Sequence, residues 1–90
     1  MNRAQRIRAA LEEAFDPVSL EIVDESHLHA GHAGARPEGE THYAVSVVSP
    51  RFVGQGRVAR QRAVYSVLEQ EFRSGLHALT VRAVTPDETP

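Results

Sequence analysis

The 90-residue chain has no cysteine and no lysine. Without cysteine there is no disulfide, no thiol nucleophile, and no zinc or iron–sulfur centre held by the chain's own thiolates. Without lysine, Schiff-base chemistry and a P-loop are excluded, and all ten basic residues are arginine. No apolar run approaches the roughly 18 residues a membrane-spanning helix needs, so no membrane partner is expected. The arginines near the start have no apolar segment behind them, so no secretory signal is read and the expected location is cytoplasmic. A net charge of −2 and an isoelectric point near 6.2 argue against indiscriminate binding to nucleic acid.

What is present suits one small folded unit. With 41% hydrophobic and 24% charged residues, the chain has the composition of a globular domain and is too short for two cores. Ile7, Leu11, Ala14 and Phe15 share one helical face, so a helix is predicted from Arg3 to Phe15. Asn2 is placed to cap it and Pro17 to end it near Asp16. Val18, Leu20 and Ile22 alternate with more polar neighbours and predict a strand over Val18 to Glu25. A second strand is predicted from His42 to Ser49, with Tyr43, Val45 and Val47 on one face.

After a turn over Pro50 to Gly56, a main helix is expected from Arg57 to Arg73, on a stripe of Val58, Gln61, Tyr65, Leu68 and Phe72. Gly75 is its natural stop. Alternation resumes from Leu76 to Val84 as a third strand, and the polar tail 86–90 is expected to fray. The predicted order is α-β-β-α-β, an α+β domain whose three-stranded sheet is covered by helices on one face.

Between the first two strands lies a long polar loop, Ser26 to Thr41, with Gly31, Gly34, Pro37 and Gly39. Loops this long within compact domains tend to be functional or disordered. It carries His27, His29 and His32, with His42 just beyond. Imidazole is a common metal ligand, although this spacing matches no established zinc pattern and also suits a solvated loop. His77, between the main helix and the last strand and flanked by Leu76, Ala78 and Leu79, reads from its own neighbourhood as a structural histidine more than as a ligand. Arg51, Arg57, Arg60 and Arg62 surround Gly54-Gln55-Gly56 and could touch phosphate, or could simply form the solvated face of a helix. No serine lies in a nucleophile-elbow pattern, and no acid–base pair is set in a recognisable pocket, so no enzymatic activity is expected.

Taken in order, the segments resemble the BolA family. The matching stretches are Ile22-Val23-Asp24-Glu25-Ser26 with His27-Leu28-His29-Ala30-Gly31-His32, then Gly39-Glu40-Thr41-His42-Tyr43. Val47-Val48-Ser49-Pro50-Arg51-Phe52-Val53-Gly54, Arg60-Gln61-Arg62-Ala63-Val64-Tyr65 and Leu76-His77-Ala78-Leu79 complete the series. The resemblance spans about Arg6 to Thr85.

It implies a fold similar to class II KH domains, with a short extra helical turn before the main helix. It also implies partnership with a monothiol glutaredoxin and a shared 2Fe–2S cluster, whose sulfur donors come from the glutaredoxin cysteine and from glutathione. On this resemblance the metal ligands are His77 and a residue of the loop, His29 by position, with His27, His32 and His42 as alternatives. No cluster is expected to stay bound to the isolated chain. A role in transcription regulation, cell shape and stress response through DNA binding is the second function implied. Gln61 stands where many relatives carry histidine, which weakens that second reading. A weak homodimer is the remaining partner expectation.

Overall fold

The first helix begins at a reciprocal cap. The Asn2 side chain accepts from the Gln5 backbone N–H, and the Gln5 side chain accepts from the Asn2 N–H, satisfying two donors that a helix start leaves open. From this cap α1 runs Arg3–Phe15 and buries Ile7, Leu11 and Phe15, as their spacing predicts. It stops where Asp16 turns left-handed (φ 44°) ahead of Pro17. The computed structural model describes residues 2–25 and 41–89. His27, His29, His32 and all of the predicted loop except Thr41 lie outside the described residues.

Strand β1 (Ser19–Asp24) pairs antiparallel with β2 (His42–Val48), and β2 pairs parallel with β3 (Ala78–Val84). The parallel step requires a long crossover, supplied here by α2 (Arg57–Val67) and α3 (Glu69–Arg73). Leu20, Ile22, Tyr43, Val45, Val47, Leu79, Val81 and Ala83 alternate onto the helix-covered face. There they meet the α1 stripe together with Phe52, Val64, Leu68 and Leu76. Phe52 sits on a 3-10 turn, Pro50–Phe52, and its ring packs 5.0 Å from that of Phe15.

Ser49 ties this turn to α1. Its hydroxyl donates to the Phe15 carbonyl and accepts from the Arg51 N–H, with no part of the residue exposed. Ser49→Ala should therefore leave two backbone groups without these partners and cost about 1–3 kcal/mol. Urea unfolding of the two proteins measures it, and a loss below about 0.5 kcal/mol would mean the bonds contribute little.

Three expectations are corrected. The main helix is broken at Leu68, whose φ of −100° and ψ of 16° separate α2 from α3. The break lets α3 turn Glu71 onto α1, where its carboxylate accepts from Arg3 and Arg6. The buried stripe is also displaced. Val64 and Leu68 enter the core, whereas Val58 is 62% exposed and Tyr65 43%. Tyr65 lies at the rim, its hydroxyl donating to the Leu79 carbonyl.

Finally, residues 86–88 of the expected frayed tail form a 3-10 turn. The turn is capped by Thr85 and held by an Arg60–Glu88 ion pair. Gly75 does end the helical segment. At φ 129° it lets the Leu76 N–H return to the Glu71 carbonyl, closing the final turn.

Candidate functional site

The start of β2 and the entry to β3 are stapled through one carbonyl. Thr41 is almost wholly buried, and its backbone oxygen accepts from both the His77 N–H (2.8 Å) and the Ala78 N–H (3.1 Å). The parallel register begins there, with His42 opposite Ala78. As a result His42 and His77, 35 positions apart in sequence, stand with ring centroids 5.3 Å apart and planes tilted by 53°. His42 is only 7% exposed, and its Nδ1 lies 2.9 Å from the Thr41 hydroxyl, which orients the ring. His77 is exposed.

Two imidazoles on one tetrahedral ion, with metal–nitrogen bonds of about 2.0–2.1 Å, have centroids about 5.2 Å apart. The observed spacing fits that arrangement, and it also fits an ordinary tilted ring contact. Among the described residues no group of three or more histidine, aspartate or glutamate side chains could hold a metal. The pair thus offers two imidazole donors and leaves the remaining positions to donors from elsewhere. An iron bearing two imidazoles beside an iron bearing sulfur ligands is an established form of a 2Fe–2S centre. The donor set therefore fits one end of such a cluster. Of the expected ligands, the structure joins His77 to His42; His29, His27 and His32 are outside the described residues.

The four arginines have different roles. Arg51 donates to the Ala14 carbonyl near the end of α1. Arg60 is the most engaged: Nε donates to the Gln55 carbonyl, Nη1 to the Ala83 carbonyl, and both terminal nitrogens to the Glu88 carboxylate. Its guanidinium also lies 5.9 Å from the centre of the Phe52 ring. Arg57 and Arg62 are exposed and make no ion pair among the described residues.

Sequence reasoning missed Glu88 because its partner lies 28 positions away. The Thr85-x-x-Glu88 capping pattern was the available signal. Hydrogen bonds from Arg60 and from the Thr85 N–H hold the Glu88 carboxyl down from 4.5 to about 2. A carboxyl lowered on folding stabilises the folded state fully above its ordinary value and loses that contribution as pH falls toward the lowered one. The C-terminal turn should accordingly stay closed at neutral pH and release only in acid, between about 4.5 and about 2. A side-chain carboxyl NMR titration of Glu88 checks this, and a midpoint near 4.5 would contradict it.

Residues 11–88 match the family model for BolA-like proteins. The chain is 47% identical over 91 residues to the chloroplastic protein BOLA1 of Arabidopsis thaliana, covering 99% of this chain and 57% of that protein. It is equally 47% identical over 91 residues to the SufE-like protein 1 of the same plant, covering 97% of this chain but only 24% of that protein. The solved BolA domain of that SufE protein superposes with a TM-score of 0.89 at 46% identity, covering 99% of this chain and 98% of the domain. The DNA-binding transcriptional regulator BolA of Escherichia coli is 42% identical over 84 residues, which is 93% of this chain and 76% of the regulator. With the family model matching most of its length and the whole fold shared, the chain belongs to the BolA family.

Proposed function

We propose that this protein is a non-catalytic adaptor that partners a monothiol glutaredoxin and shares a 2Fe–2S cluster with it, in iron–sulfur trafficking or iron regulation. The observation that supports the reading is the imidazole pair at the β2–β3 junction, one ring buried beside the Thr41 hydroxyl and the other exposed. The chain has no cysteine, and the resemblance to BolA-like proteins assigns the sulfur ligands to the glutaredoxin cysteine and to glutathione. His77 would bind the iron, with His42 or the loop residue His29 as the second nitrogen donor. When bound, the cluster supplies one-electron redox chemistry and a transferable iron–sulfur unit. This chain's own contribution would be to orient the His42 ring through the Thr41 hydroxyl and to present the exposed His77 ring beside it.

Imidazole is a weaker, protonatable ligand than thiolate, which suits transfer or sensing more than storage. Anaerobic mixing with a monothiol glutaredoxin and glutathione, followed by co-purification, visible absorption and iron analysis, tests the proposal. The expected result is a one-to-one complex whose spectrum differs from that of the glutaredoxin alone. An unchanged glutaredoxin spectrum, with no co-purification, would refute it.

A second reading, DNA binding, is favoured by the 42% identity to the Escherichia coli regulator and by the exposed Arg57 and Arg62. If these arginines meet phosphates, replacing both by Ala should weaken binding to all duplex sequences alike. The salt dependence should also flatten, by roughly one unit of slope for each phosphate that is no longer neutralised.

A further inference from the structure

At the far end of β3 from the histidines, between that strand and the start of α2, lies a cavity of about 680 Å³. Three guanidinium-bearing side chains line it, Arg57, Arg60 and Arg82, with a single carboxylate, Glu88. Arg57 and Arg82 make no ion pair among the described residues, so the cavity carries an excess of positive charge. Arg60 is held rigidly. Its side chain is 13% exposed, and the Gln55 and Ala83 carbonyls and the Phe52 ring fix the fork toward the cavity. Glu88 fills that fork with both oxygens, at 2.6 and 3.1 Å, and its Oε1 also accepts from the Thr85 N–H.

We propose that this cavity is a recognition site for an acidic peptide segment, its arginine fork kept occupied by the chain's own Glu88. The resident occupant shows what the site accepts. It is a short acidic polypeptide turn, Thr85-Pro86-Asp87-Glu88-Thr89, whose glutamate sits in a preorganised arginine fork. A planar two-pronged guanidinium matches a carboxylate in this geometry, and a partner's acidic segment would take the same place while its further carboxylates meet Arg57 and Arg82. The resident turn acts as an internal competitor. The affinity of any incoming peptide is scaled down by the fraction of time the turn is open, so the parent protein binds such a segment more weakly than a protein whose turn is released. The β3 edge nearby is not open to strand addition throughout, because the Ala83 and Leu79 carbonyls already accept from Arg60 and Tyr65. Recognition therefore runs through side chains.

The probe is a blocked five-residue peptide copying residues 85–89, titrated into the full chain and into Glu88→Gln, with the arginine Nε–H signals followed by NMR. Binding by Glu88→Gln should be about tenfold tighter than by the parent protein, and Arg60→Gln should abolish it. A peptide with both acids replaced by their amides should bind neither. Equal affinity for parent and Glu88→Gln would overturn the proposal by showing that Glu88 does not compete. A short thymidine oligonucleotide gaining more than the peptide in Glu88→Gln would also overturn it, by assigning the cavity to phosphodiesters. Should Glu88→Gln unfold, the parent protein decides. Saturating peptide must move the Glu88 carboxyl resonance toward that of a solvated glutamate, and an unmoved resonance would refute displacement.

Discussion

His77→Ala is expected, under the proposed adaptor function, to leave a folded domain that still meets the glutaredoxin but no longer holds the mixed-ligand cluster. The His77 ring is exposed, and what anchors the residue is its backbone N–H on the Thr41 carbonyl, which alanine retains. Thermal stability of the metal-free protein should change by no more than about 0.5 kcal/mol, as for an ordinary surface substitution. The visible spectrum of the complex should meanwhile revert to that of the glutaredoxin's own cluster.

His42→Ala should behave differently. Its ring is buried against Thr41, so the apo-protein itself should lose about 1–3 kcal/mol. Melts of the apo-proteins beside spectra of the complexes separate ligand loss from unfolding. A well-folded His77→Ala protein with the parent spectrum would remove the basis of the adaptor proposal.

Glu71→Ala should be strongly destabilising, at about 3–5 kcal/mol. The carboxylate accepts from Arg3 at 2.8 Å and from Arg6 at 3.0 Å, and the Arg3 and Glu71 side chains are only 9% and 11% exposed. Arg3 also donates to the Glu71 carbonyl and to Ser74, which binds α1 to the end of α3. Removing the carboxylate takes from the buried Arg3 guanidinium the charge it meets at 2.8 Å, which costs far more than the ion pair contributes in net terms. Against a total stability of about 5–15 kcal/mol, that is a large share.

Arg6→Ala should cost less than about 1 kcal/mol, because that partner is substantially solvated. Replacing Arg3 and Glu71 together by methionine should recover much of the loss. Urea denaturation of the set measures all three. A Glu71→Ala loss no larger than that of Arg6→Ala would show that the Arg3 pair is not desolvated.

The element order and most boundaries were legible from local pattern. Ile7, Leu11 and Phe15 declare the buried face of α1, and the alternation of Tyr43, Val45 and Val47 declares that of β2, because these periods follow directly from backbone geometry. Gly75 and Pro17 mark stops through their own dihedral limits. The main helix was read less well. Val58, Tyr65 and Phe72 form a plausible stripe, but the buried face is chosen by what packs against it, and the break at Leu68 serves a carboxylate, Glu71, whose partners Arg3 and Arg6 lie 68 and 65 positions away.

The sequence by itself determined the donor chemistry: five histidines, no thiolate, no lysine, one small α+β domain, and a motif series resembling BolA-like proteins. These are matters of residue type and local order, which a linear chain displays. Only the tertiary structure decided that His42 stands beside His77, because a parallel strand pair brings together positions joined by an entire helical crossover. It alone decided that Arg60 pairs with Glu88 while Arg57 makes no ion pair among the described residues, because an ion pair between distant residues has no period to betray it.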